Sequence, residues 1–164
     1  MKINGRVATA RVAETLVVPR QDGDMVFKAI PVTDFSDFNA LCPEPKPPEI
    51  LRPGGERVSN VEDPSYKAAK LAWADQRTAF MIIKSLAATE GLEFETVNIA
   101  DSATWGNWRK EMEKVLVNNE LNMLLNIVIT ANGMSVEKIE EATKSFLAAQ
   151  RVKQSEQASL TPAR

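Results

Sequence analysis

Apolar and polar positions near the N-terminus alternate in a pattern that predicts a β-hairpin. Two β-rich runs, residues 16–18 and 25–30, flank the polar segment PRQDGD. Within that segment, Asp22-Gly23 supplies residues that tolerate the positive φ of a tight turn. Two strands alone are marginal in water, so the hairpin has to pack on other elements or recruit a partner strand.

A short helix is predicted in the next segment, PVTDFSDFNALC. Thr33 can cap its first turn, and Asp34 favours the positive end of the helix dipole. Phe35, Phe38 and Leu41 then fall along one face, which makes the short helix apolar on one side.

Residues 42–63 differ sharply from their surroundings and are predicted to form a linker. Five prolines in this segment, a sixth at position 64, and Gly54-Gly55 exclude a helix or a central strand. The P-x-x-P sequence from Pro45 to Pro48 fits either a polyproline II surface for an aromatic groove or a stiff spacer. We favour the spacer, because P-x-x-P is common by chance.

The rest of the chain predicts helices. Asp63 and Pro64 form an N-cap followed by proline at the first helical position, so a helix is expected over about 64–87, most buried in its C-terminal half. A second helix should begin at Asp101 or Ser102, and an almost wholly apolar one should end at Asn132-Gly133. Its successor, SVEKIEEATKSFLAAQ, predicts a closing helix, and a frayed tail is expected after residue 151.

These elements predict a mainly α protein with a small N-terminal β-hairpin, an α+β fold. Four parts are expected along the chain: a hairpin plus short helix over 1–41, the Pro-rich linker over 42–63, a helical domain over 64–150, and a flexible tail over 151–164.

Composition and charge restrict the classes of function that this protein can have. The 164 residues carry 20 basic and 22 acidic side chains, a balance that disfavours nucleic-acid binding. The apolar stretches AFMIIKSLAA and NMLLNIVITA fall short of the ~20 residues that span a bilayer, and the N-terminus lacks the apolar core of a secretory signal. We therefore expect a cytosolic protein with no membrane association.

The sequence offers few candidate residues for catalysis or for metal binding. The sequence contains no histidine, which removes the usual general base and the commonest metal ligand. Cys42, the single cysteine, follows a helix and precedes a proline, so a buried apolar role is favoured over a reactive one. The DGD sequence lacks the spaced ligands of a calcium loop, and adjacent Lys84 and Ser85 face different directions on a helix. We expect no catalytic residue, cofactor or metal.

The order of the segments resembles that of the tail assembly chaperones of long-tailed bacteriophages. The matching phrases are an aliphatic helix over 80–86, an F-x-x-x-D-like stretch over 94–101, and the break Asn132-Gly133-Met134-Ser135 before a closing acidic helix containing Glu141. The resemblance spans residues 25–147. The Pro-rich segment and the paired Trp105 and Trp108 are not features that the family requires.

The resemblance implies a non-enzymatic, helical protein that keeps the apolar tape measure protein soluble while tail tube subunits assemble around it in the host cytoplasm. Contact with the tail tube protein and self-association are further expectations. Exposed apolar anchors at helical spacing would serve such binding. The candidates are Phe35, Phe38, Leu41, Trp105, Trp108 and Met112, with an ordinary core role as the alternative.

Two other classes stay open. In one, the protein is a virion structural or adaptor protein of the tail, whose hairpin adds edge to edge to a partner sheet. In the other, it is a small enzyme, which the lack of histidine disfavours.

Overall fold

The computed structural model describes residues 2–3, 6–7, 13–133 and 144. Residues Met1–Asn132 form one compact unit, which spans the predicted boundaries at residues 41 and 63, and Gly133–Arg164 form a second. The predicted closing helix and tail lie outside the described residues, apart from Lys144, which is helical and exposed.

The predicted α+β fold is confirmed. Within the described residues up to 133, the strands pair as three separate antiparallel hairpins, and four helices follow or separate them. In chain order the elements are β1 (Lys2–Ile3), β2 (Arg6–Val7), β3 (Glu14–Val18), β4 (Met25–Ala29), α1 (Ser36–Leu41), β5 (Glu49–Leu51), β6 (Arg57–Ser59), α2 (Pro64–Leu86), a 3-10 turn (Ser102–Thr104), α3 (Asn107–Val115) and α4 (Asn118–Asn132).

The predicted hairpin is β3–β4, in a register that pairs Leu16 with Phe27 and Val18 with Met25. Gly23 has φ of +122° in the connection, as the Asp-Gly prediction requires. One face of the hairpin packs on α2 and α4, and the other, which includes Val17 and Val26, is exposed. The hairpin therefore obtains its missing support from the helices.

The outer edge of β4 and the residues directly after it are closed by groups that lie at, or just beyond, the C-terminal ends of α2 and α4. The Thr89 hydroxyl accepts from the Lys28 amide at 2.9 Å and donates to the Lys28 carbonyl at 3.0 Å. The Ser85 hydroxyl donates to the Ile30 carbonyl at 2.6 Å, and the Ile30 amide donates to the Ser85 carbonyl at 2.9 Å. The Asn132 side-chain oxygen accepts from the Val32 amide at 2.7 Å. Together they satisfy backbone groups that a two-stranded sheet leaves open.

Helix α1 begins later than predicted, at Ser36 rather than directly after Thr33. The Asp34 carboxylate accepts from the Ser36 amide at 2.8 Å, so Asp34 supplies the polar partner that the sequence assigned to Thr33. This hydrogen bond lowers the pKa of Asp34. The helix that follows is only six residues long.

Helix α2 confirms the prediction at both ends. The Asp63 carboxylate accepts from the Tyr66 amide at 2.9 Å, Pro64 occupies the first turn, and the helix ends at Leu86. The buried residues on α2 all lie in its C-terminal half, from Ala79 to Leu86, as expected. The N-terminal half contacts the chain along one narrow stripe only.

The Pro-rich segment contains a small hairpin, β5–β6, whose strands hold none of its prolines. Its turn uses Gly54 and Gly55 at φ of +115° and +83°. The segment begins against α2, because the Trp73 indole donates to the Cys42 carbonyl at 3.0 Å and Lys70 forms an ion pair with Glu44. Cys42 is buried, as predicted, and its thiol donates to Gln76 at 3.1 Å.

The predicted helix from residue 101 is divided into two parts. Asp101 caps only a 3-10 turn, through the Ala103 amide at 3.1 Å, and α3 starts at Asn107. Leu116 is extended and separates α3 from α4. A bidentate contact between Arg20 and Glu120, at 2.7 and 2.6 Å, then joins the end of the β3–β4 hairpin to the first turn of α4.

Truncation of a buried aromatic side chain should strongly lower the free energy of unfolding. Trp105 is fully buried, and its ring centroid lies 5.1 Å from that of Phe80. Trp105→Ala should lower the free energy of unfolding by about 3–5 kcal/mol, because it leaves a cavity at the centre of the core. Leu71→Ala, on the exposed side of α2, should change it by less than about 0.5 kcal/mol. Urea unfolding measures both, and equal midpoints for Trp105→Ala and the wild type would contradict the core assignment.

The Arg20–Glu120 pair predicts loss of stability in acid. The hydrogen bonds from Arg20 and then from the Val117 amide lower the pKa of Glu120 from its ordinary 4.5 to about 2. Such a carboxylate stabilises the fold above its unfolded pKa, and the contribution disappears as the pH falls through the folded pKa. The stability difference between wild type and Glu120→Gln should therefore shrink between pH 4.5 and 2.

Thermal unfolding measured across that pH range checks this expectation. Arg20→Met is the matched variant: it removes the hydrogen bonds from Arg20 but keeps the one from the Val117 amide, so it should remove the larger part of the pH dependence. A wild-type excess in stability that stays constant down to pH 2 would show that the pair does not lower the pKa of Glu120.

Candidate partner-binding surface

The structure places most of the predicted anchor residues in the core. Phe38, Trp105, Trp108 and Met112 are buried, Phe35 is partly buried, and Leu41 is exposed. The four buried side chains present no surface to a partner in this conformation, so for them the structure favours the ordinary core role. Leu41 alone of the six offers substantial exposed apolar surface, at 44%.

Phe38 lies at the centre of an aromatic cluster that holds α1 on the helices. Its ring centroid is 5.5 Å from that of Trp73, 5.6 Å from that of Phe80 and 5.9 Å from that of Trp105. Phe35 adds an edge contact at 6.4 Å. These tilted and edge contacts are the arrangements that aromatic rings prefer. They fix the orientation of α1 and with it the direction in which Leu41 points.

Trp105 also fixes the loop that faces α1. Its indole nitrogen donates to the carbonyls of Asn98 and Ile99, both at 3.1 Å. The Asn98 side chain accepts from the Ala100 amide at 3.0 Å, and the Thr104 hydroxyl donates to the Asn98 carbonyl at 3.0 Å. An irregular turn is thereby attached to a buried ring.

The loop and α1 enclose an apolar cleft of about 340 Å³. Leu41 and Ile99 contribute the large side chains, and the cleft is lined by Asp37, Ala40, Leu41, Ile99 and Ala100. We call this the α1 cleft. Among the described lining residues, Asp37 is the one that is charged, and its ion pair with Lys84 at 3.3 Å leaves little net charge at the rim. Its chemistry suits an apolar side chain rather than a charged ligand.

Sequence reasoning named Leu41 but missed Ile99. Ile99 lies in the turn-rich stretch VNIADS, where Val97 is the one other large aliphatic residue and no helical repeat indicates a face. Its role depends on the indole of Trp105, which holds the loop from six residues away. A large aliphatic residue between turn residues was the available signal.

The discounted Lys84-Ser85 pair has structural roles. Lys84 faces Asp37, whereas Ser85 is fully buried and hydrogen-bonded to Ile30 and Asn132. Among residues 13–133, no group of three or more histidine, cysteine or carboxylate side chains is arranged to hold a metal ion. No helix in the described part of the chain is both long and apolar enough to cross a membrane.

Comparison with known proteins assigns the chain to no family. The chain has no significant match to a protein-family model, to a curated protein or to a solved structure.

Proposed function

We propose that this protein is a non-enzymatic tail assembly chaperone of a long-tailed bacteriophage, which binds the tape measure protein in the host cytoplasm during tail morphogenesis. The observation that carries the proposal is the α1 cleft, where Leu41 and Ile99 leave apolar surface exposed on a rigid support. The resemblance in segment order supplies the family and the partner.

The cleft gives the chaperone hypothesis a physical route. An apolar helix binds a groove through anchors at three- and four-residue spacing, and each buried aliphatic anchor contributes about 1.5–3 kcal/mol. The α1 cleft is preformed by Phe38 and Trp105, so little conformational entropy is lost on binding. One aliphatic side chain of the tape measure protein would insert between Leu41 and Ile99.

Two of the phrases that carry the resemblance meet at this place. The aliphatic stretch 80–86 includes Phe80, whose ring contacts Trp105, and the stretch 94–101 provides the carbonyls of Asn98 and Ile99 that accept from the Trp105 indole. The pattern in the sequence thus coincides with the support of the cleft. This coincidence supports the proposal separately from the exposure of the Leu41 and Ile99 side chains.

Co-expression tests the proposal. The partner is the large coiled-coil-rich protein encoded just downstream, where the genome has one. The wild-type chain should raise its solubility and co-purify with it. Leu41→Asp and Ile99→Asp should each weaken binding about 10- to 100-fold, because they remove apolar contact and introduce a charge into the cleft.

Leu71→Asp is the matched control, since Leu71 is a leucine exposed on α2 outside the cleft. It should bind like the wild type, and circular dichroism should show all three variants folded. Failure of the wild type to raise the partner's solubility or to co-purify with it would overturn the proposed function. Equal loss of binding in Leu71→Asp would place the contact elsewhere.

A second candidate, a virion structural or adaptor protein of the tail, is favoured by the outward-facing backbone groups of Thr15 and Val17 in β3. Lys28 directs its backbone groups away from β3, and its cross-strand partner Thr15 therefore directs its own away from β4. Within the described residues, the backbone groups of Thr15 and Val17 on that edge have no partner. A partner strand could add there. Mass spectrometry of purified virions distinguishes the two, since a chaperone should be absent from the finished particle.

A further inference from the structure

A second cleft, of about 250 Å³, lies between residues 91–95 and α3 and shares no lining residue with the α1 cleft. Its apolar wall is made by Leu92, Phe94, Met112 and Val115. Val115 is 55% exposed although it is an aliphatic residue, and Leu92 and Phe94 are partly buried. We call this the α3 cleft. Its volume is below the roughly 300–1,000 Å³ of small-molecule pockets, so it suits one long side chain rather than a cofactor.

The segment that forms one wall is fixed at both ends. At its start, the Leu92 amide donates to the Thr89 carbonyl at 3.4 Å, and the Thr89 hydroxyl is bonded to β4. At its end, the Glu111 carboxylate accepts from the amides of Glu95 and Thr96, both at 2.8 Å. The cleft is therefore already formed before any ligand binds.

Carboxylates surround the apolar wall. Among the described lining residues, Glu93, Glu95 and Glu111 stand against one cation, Lys114, whose ammonium is 4.0 Å from Glu95. Desolvation raises the pKa of Glu111, but the hydrogen bonds from Thr96 and Glu95 outweigh it and the pKa lies below its ordinary value. Glu93 is exposed and forms no ion pair within the described part of the chain. An apolar wall with an uncompensated negative rim remains.

We infer that the α3 cleft binds an arginine side chain from a basic amphipathic segment of a partner protein. The methylene stem of arginine packs on apolar surface while its head stays at the rim. The planar guanidinium donates to carboxylates in pairs, which Glu93 and Glu95 can accept without disturbing the hydrogen bonds of Glu111. The charge of the rim thus selects a cationic ligand, and the apolar wall selects one with a long stem.

The inference goes beyond the proposed function, because it concerns a different surface and does not depend on the tape measure protein. The two clefts share no lining residue and differ in charge, so the arginine proposed for the α3 cleft needs no occupant in the α1 cleft.

A synthetic peptide tests the inference on the full chain. The probe is a fluorescein-labelled amphipathic helix with leucine on one face and arginine on the other, titrated and followed by fluorescence anisotropy. The wild type should bind it, and Glu93→Gln combined with Glu95→Gln should weaken binding about three- to tenfold. Added salt should weaken wild-type binding as well. The same peptide with glutamate in place of arginine should not bind.

The matched control is Glu56→Gln combined with Glu62→Gln, which removes two exposed carboxylates outside the cleft and should leave binding unchanged. Val115→Ser should weaken binding through the apolar wall, whereas Leu41→Asp, in the α1 cleft, should not. Equal binding by the Glu93/Glu95 variant and the wild type would overturn the inference. So would equal weakening by the Glu56/Glu62 variant, which would show only attraction to an acidic protein.

Discussion

The closure of the outer edge of β4 is the constraint on which the rest of the structure depends. A two-stranded sheet is marginal in water, and this one is stabilised on one edge by Ser85, Thr89 and Asn132 and on one face by the apolar residues of α2 and α4. Ser85 connects these elements, since its hydroxyl donates to the Ile30 carbonyl directly after β4 and accepts from the Asn132 side chain at 3.2 Å. A fully buried serine is tolerated because each of these contacts satisfies a polar atom.

The two clefts follow from the same arrangement. With the hairpin fixed on α2 and α4, the connection after α2 crosses the surface and is attached by two polar groups, the indole of Trp105 and the carboxylate of Glu111. Each attachment holds irregular backbone beside exposed apolar side chains. The proposed binding functions therefore reside in loops whose positions are set by the core, which is the usual location of recognition surfaces.

Local signals predicted the elements well. Asp22-Gly23 predicted the turn of the β3–β4 hairpin, and Asp63-Pro64 predicted the start of α2. Both signals were sufficient because a turn and a helix cap depend on neighbouring residues only. Helical spacing also placed Trp105 and Trp108 on apolar faces, but spacing does not separate a core face from a binding face. The edge closure was not predictable, since the partners of Thr89 and Asn132 lie 61 and 100 residues away in the sequence. Asp101 was a correct cap, but only for a 3-10 turn.

Amide hydrogen exchange measured by NMR tests the central claim, that the hairpin is held along β4 while the outward backbone groups of Thr15 and Val17 in β3 have no partner among the described residues. The account predicts slow exchange for the amides of Lys28, Ile30 and Val32, which donate to Thr89, Ser85 and Asn132. It predicts fast exchange for Thr15 and Val17 on the opposite edge. Rapid exchange at Lys28 and Ile30, or protection of Thr15 and Val17 equal to theirs, would contradict it.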